Sequence, residues 1–270
     1  MKLFYRKFGH GCPLIILHGL YGASDNWVSF AKSLAAYFRV YLPDQRNHGQ
    51  SPNSEQHTYT DLRNDLVEFI SDHHIVKPVL IGHSMGGKTA MFFAARFPEM
   101  IRALVVIDIS PRSYDEQNEL SSRFLRHSDI LRILSDLPVT EFKTRDDADK
   151  ALMNSIRIER IRQFLLKNLT RDKEGHFIWK LNLEALGKNL NNIMTGLEHE
   201  EILPHHFPVL FVKGARSDYI SGSDTQLISK MFPEAQLKII EGAGHWVHVE
   251  NPDELFRIIY DFLKSNRLCD

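Results

Sequence analysis

Two periods of hydrophobicity alternate along this chain. Short, largely apolar runs at Pro13 to Leu17, Arg39 to Leu42, Val79 to Gly82, Ala103 to Ile109, Pro208 to Val212 and Gln236 to Ile240 predict strands, with Leu3 to Arg6 a candidate short edge strand. Between them, apolar residues recur every three or four positions, which predicts helices over Ser24 to Tyr37, Asp61 to His73, Met85 to Phe97, Asp224 to Phe232 and Pro252 to Ser265. Thr60 stands where the second of these helices needs an N-cap, and the third, apolar on nearly every face, is expected to be buried. Strand and helix in alternation predict an α/β fold with a mostly parallel, doubly wound sheet.

From about Pro111 to Pro204 the pattern changes. Charges are frequent, no convincing buried strand occurs, and the apolar residues Phe124, Leu125, Ile130, Leu131 and Leu134, then Ile161, Phe164, Leu165 and Leu169, keep helical spacing. The expected organisation is therefore a sheet domain made of residues 1–110 and 205–270, interrupted by a helical cap at 111–204.

Composition narrows the class without choosing a function. The chain has 270 residues, 43% hydrophobic and 25% charged, with a net charge of -1, so a sizeable core is expected and no strong field exists to recruit nucleic acid or an anionic membrane. The opening MKLFYRKFGHG lacks the apolar stretch of a signal peptide, and no run approaches the roughly 20 apolar residues of a membrane span. A cytoplasmic location is expected. Cys12 and Cys269, near opposite ends, suggest reduced thiols rather than a disulfide framework.

The chemistry concentrates in GHSMGGKT at 82–89, which fits two motifs at once. As G-x-S-x-G, with Gly82, Ser84 and Gly86, it is the sharp strand-to-helix turn that lifts a nucleophilic hydroxyl above a sheet. As G-x-x-x-x-G-K-[ST], with Gly82, Gly87, Lys88 and Thr89, it is a phosphate-binding loop, and Asp108 after its apolar strand then has the place of a magnesium ligand. Two strands precede the motif, whereas a phosphate loop usually follows the first. Acyl transfer by Ser needs a base, an acid and oxyanion donors, in the chain order Ser, acid, His. The chain supplies them in that order. Ser84 is the candidate nucleophile, His245 in GAGHWVHVENP the base, and the N–H groups of Met85 and of Leu20, in HGLYG after an early strand, the oxyanion donors.

The blocks HGLYGASDNW, DQRNHGQS, GHSMGGKTAM, VVIDISP and GAGHWVHVENP together resemble the α/β-hydrolase superfamily, and within it the YbfF-type bacterial esterases and their mitochondrial abhydrolase relatives. They span most of the sheet domain; in the inserted region the likeness is confined to RQFLLKNL. The resemblance implies a serine esterase acting on small acyl esters or thioesters, with no cofactor and no metal.

Two carboxylates compete for the triad. Asp218, in KGARSDYI, is near the superfamily's commonest position for the acid but one residue too far from Gly214, where Ser217 takes the expected slot; Asp108 resembles the acid of the YbfF-type group and is preferred. His248 is a weaker base candidate than His245 and is expected to pack. Trp27, Tyr219 and Trp246 flank the catalytic loops and are candidate substrate-pocket residues, with core packing the competing account. Asp44 and Arg46 are expected to form a turn-stabilising ion pair. Between residues 156 and 173, six Lys or Arg face two acids, which fits a phosphate-bearing leaving group or, more simply, a solvated helix face. Other functions remain open at this point: a carbon-carbon hydrolase, lyase or cofactor-free peroxidase with the same triad, a non-catalytic ligand-binding module, and a phosphate-loop NTPase. Acyl chain length, oligomeric state and the packing of the cap are not legible.

Overall fold

The computed structural model describes residues 1–115, 126–198 and 200–268. Phe124, Leu125 and Cys269 lie outside the described residues.

Seven strands, β1 (Tyr5–Phe8), β2 (Cys12–Leu17), β3 (Phe38–Pro43), β4 (Val79–His83), β5 (Ala103–Ile107), β8 (Val209–Gly214) and β9 (Gln236–Ile240), make one sheet in the order β1-β3-β2-β4-β5-β8-β9. All neighbours are parallel except β1, which runs antiparallel to β3 at one edge. The central strands are apolar throughout because both faces are covered. Leu14, Ile16, Val79, Ile81, Val105 and Ile107 face the helices Val28–Leu34 and Pro252–Ser265, while Ile15, Leu17, Leu80, Leu104 and Val106 face Tyr59–Asp72, Met85–Arg96 and Asp224–Met231. Chain order leaves β2 for β3 on one side and returns as β4 on the other. The crevice at the carboxyl ends of β2 and β4 is thus the switch point where an open α/β sheet places ligands.

The second-face helix is capped by Thr58, not Thr60. Thr58 Oγ accepts the Asp61 N–H at 3.2 Å while the Asp61 carboxylate accepts the Thr58 N–H at 3.1 Å, a reciprocal capping box two residues earlier than the apolar spacing marks. Helix Met85–Arg96 is buried through Ala95, including Lys88 and Thr89.

Between β5 and β8 lie helices His127–Asp136, Arg145–Leu152, Glu159–Leu166, Leu183–Lys188 and Leu190–Met194, with a short antiparallel ribbon of β6 (Leu169–Arg171) and β7 (Phe177–Trp179). Leu169, expected to continue a helix, instead begins that ribbon, and Asp172 and Gly175 close its turn. Among the described residues no helix is long and apolar enough to cross a membrane.

Candidate active site

The nucleophile turn is dictated by close backbone approach. Ser84 sits at φ 53 and ψ −123, outside the favoured regions for an L residue. A Cβ on Gly82 would lie 2.2 Å from the Gly86 carbonyl, and one on Gly86 2.3 Å from the Leu17 carbonyl. Only glycine lets strand, turn and helix converge here. Lys88 and Thr89, which a phosphate loop would turn to its ligand, are spent on packing: the Lys88 ammonium donates to the Met194 and Thr195 carbonyls at 3.1 and 2.5 Å, and the Thr89 hydroxyl donates to Gln45 at 2.9 Å. Burial lowers the Lys88 pKa to about 7.

His245, in the loop after β9, reaches Ser84 across 161 positions of sequence. Its Nε2 stands 3.1 Å from Ser84 Oγ, and its Nδ1 stands 2.8 Å from Asp108 Oδ2. A carboxylate accepts only, so Nδ1 carries the proton and Nε2 is left to accept from the serine. Asp108 is wholly buried at φ 52, with its other oxygen accepting the Gly214 N–H at 2.9 Å and Oδ2 also accepting the Ser217 hydroxyl. Asp218 is exposed on the wall of the cleft above. Ser217 is the residue that sequence reasoning noticed but gave no task. Its position three after Gly214, where a carboxylate is usual, was the signal: a hydroxyl there serves the acid on the neighbouring strand. Tyr219 stacks on the His245 ring, centroids 4.0 Å apart at 23°.

The loop after β2 is held by neutral histidines. His18 Nδ1–H donates to the Gly19 carbonyl at 2.9 Å and its Nε2 accepts the Gln45 N–H at 2.9 Å; His48 donates to the Arg46 carbonyl at 2.9 Å and accepts the Tyr21 N–H at 3.3 Å. Burial pushes both rings' pKa down, so neither charges near the site. The turn's own bonds use the Gly22 and Tyr21 N–H groups, and Met85 is the first residue of its helix, where an N–H has no intrahelical acceptor. Leu20, Ser84 and Met85 all line one small chamber.

The expected pairing of Asp44 with Arg46 does not occur. Asp44 accepts the Ser24 and Gln50 N–H groups at 2.6 and 2.8 Å, and Arg46 forks onto Asp65 at 2.6 and 2.8 Å from a different direction. Both still brace the turn, Asp44 through the Ser24 and Gln50 N–H groups and Arg46 through Asp65 and the Gln56 carbonyl.

Trp27, Tyr219 and Trp246 all line the cleft that opens from Ser84, beside Ile161, Phe164 and Leu165 of the inserted segment. His248 also lines it, stacked on Trp27 at 4.1 Å and buried, which lowers its pKa to about 3. His83, the residue before the nucleophile, bonds the His245 carbonyl at 2.8 Å and so steadies the histidine loop. In the basic stretch, Arg162 is buried against Asp149 at 2.8 Å, while Arg160 lies over the Trp246 ring at 5.4 Å and 3.3 Å from Glu250 at the rim of the cleft.

Comparison with known proteins identifies the fold family. Residues 13–252 match the family model described as alpha/beta hydrolase fold. The chain is 37% identical over 252 residues to a mouse protein named sn-1-specific diacylglycerol lipase ABHD11, covering 93% of this chain and 80% of that one. It is 34% identical to Esterase YbfF of Escherichia coli, covering 94% and 93% respectively. A solved structure described as a marine microorganism esterase superposes with a TM-score of 0.93 at 44% identity, over 97% of this chain and 99% of that one.

Proposed function

Because this chain belongs to the α/β-hydrolase family and is a serine ester hydrolase, we propose that it works through a covalent acyl-enzyme on Ser84, with His245 as base and Asp108 as the acid of the triad. The observation that carries this is the unbroken hydrogen-bond chain from Ser84 Oγ through both His245 nitrogens to Asp108. Ser84 Oγ attacks the ester carbonyl and gives its proton to His245 Nε2. Charge develops on the carbonyl oxygen, and the N–H groups of Leu20 and Met85 receive it. His245 then protonates the departing alcohol, and water, activated by the same ring, releases the acid. Asp108 keeps Nδ1 protonated and stabilises the imidazolium; being dry and already bonded to Gly214 and Ser217, it needs no reorganisation.

Acyl esters are the proposed substrates, and thioesters present the same carbonyl to the same nucleophile. Residues 111–204 act as a cap, since Ile161, Phe164 and Leu165 roof the cleft while the sheet domain supplies every reacting group. The test pairs a fluorophosphonate probe with hydrolysis of p-nitrophenyl esters: labelling at Ser84 with turnover supports an esterase, and labelling without turnover of any ester or thioester sinks it.

A further inference from the structure

Two spaces meet at Ser84, and they differ in kind. One is the aromatic cleft described above, which holds His245, Trp246 and His248. The other also touches Ser84 and lies between Met85, Lys88, Tyr59, Ile109, Ile193 and Met194. His127 and Tyr219, joined Nε2 to hydroxyl at 3.2 Å, stand in the walls of both.

We infer that the smaller chamber receives the acyl half of the ester and that Ile193 and Met194 limit its length, so that the enzyme selects short, uncharged acyl groups on bulky apolar alcohols. This rests on the acyl-enzyme reading of Ser84.

The direction follows from proton delivery. When the tetrahedral intermediate collapses, the bond from the carbonyl carbon to the alcohol oxygen breaks, and that oxygen takes the proton held on His245 Nε2. The alcohol must therefore depart on the side where His245 is. Among the described residues His245 lines the cleft and not the chamber. The acyl carbons, on the far side of the same carbonyl, point into the chamber.

Size and polarity follow from its walls. The centre of a water-sized sphere ranges over only about 20 Å³ there, space for one or two waters. An acetyl or propionyl group fits such a space. Most of the polar side chains around it are turned to the backbone: the Tyr59 hydroxyl donates to the Ile193 carbonyl at 2.8 Å, the Tyr114 hydroxyl to the Tyr219 carbonyl at 2.5 Å, and Lys88 to the carbonyls of Met194 and Thr195, while His127 and the Tyr219 hydroxyl bond each other. Beyond Ser84 and the His127–Tyr219 pair, what the chamber offers a substrate is mostly hydrocarbon. Lys88 also holds the far wall in place, because its two bonds grip the end of helix Leu190–Met194.

The experiment is a kcat/KM profile of the wild-type chain on p-nitrophenyl acetate, propionate, butyrate, hexanoate and octanoate, repeated with Met194→Ala, Ile193→Ala and Trp246→Ala. The expected optimum is acetate or propionate, with a loss of about tenfold or more once the chamber is overfilled. Met194→Ala or Ile193→Ala moves the optimum to longer acyl groups, whereas Trp246→Ala leaves the acyl optimum in place. A wild-type optimum at octanoate, or an acyl optimum that moves with Trp246→Ala and not with either chamber variant, overturns the assignment while leaving the esterase standing. Absence of turnover on every ester removes the underlying reading instead.

Discussion

Asp108 and Asp218 show how a residue's chemistry is settled by a few ångströms. Both follow parallel strands at the same end of the sheet, yet one carboxylate is wholly buried at 2.8 Å from His245 Nδ1 and the other stands exposed on the cleft wall. Asp108→Asn should therefore lower kcat by roughly 10⁴, because an amide N–H at that point favours the wrong imidazole tautomer. Asp218→Asn should leave kcat near wild type, and equal losses in the two variants would show that both carboxylates serve the ring. Ser84→Ala should remove about four to six orders of magnitude from kcat on p-nitrophenyl butyrate with the thermal midpoint almost unchanged. Neither the positive φ of Asp108 nor the service of Ser217 leaves a mark in the local sequence beyond the missing carboxylate three residues after Gly214.

Elements were more legible than caps. The glycines either side of Ser84 read correctly as points of contact, and their cost is steric: Gly86→Ala puts a Cβ against the immobile Leu17 carbonyl at 2.3 Å, so the strand and helix must part. That variant should lose esterase activity and unfold at lower denaturant, and a wild-type midpoint would contradict the tight elbow. Thr58→Ala should destabilise by about 1 kcal/mol, seen as a lower urea midpoint at unchanged slope, whereas Thr60→Ala should be nearly silent. The pattern Thr58-x-x-Asp61 was available in the chain, but apolar periodicity begins at Leu62 and drew the boundary inward. The ribbon of β6 and β7 escaped because strands of three residues carry too few positions to display a period, although Asp172 and Gly175 mark its turn.

At the scale of the whole molecule, the reacting crevice is wrapped in histidines that are buried and neutral. Burial lowers the pKa of His57 and His248 to about 3, with His18, His48 and His83 shifted in the same direction. An unfolded histidine takes a proton near pH 6.5 and the folded rings of His57 and His248 do not until about 3, so within that window acid favours the unfolded chain. Stability from this source is complete above pH 6.5 and is lost as pH falls toward 3, by at most about 1.4 kcal/mol per pH unit for each ring. Urea midpoints should be flat near neutrality and fall steeply through pH 6 and 5. His248→Phe, which keeps the stack on Trp27, should make that fall shallower; an unchanged slope would mean the ring is already charged in the folded state.

The alternation of apolar runs and helical stripes was enough to specify a doubly wound sheet, since a buried parallel strand has to be apolar on both faces, and motif order was enough to name Ser84 and His245. Distance was beyond it. That Ser217 serves the buried carboxylate, that His248 stacks on Trp27, and that a second small chamber touches the serine all depend on where separate loops converge. Those positions are set by packing between residues more than a hundred places apart, and no local pattern along the chain records them.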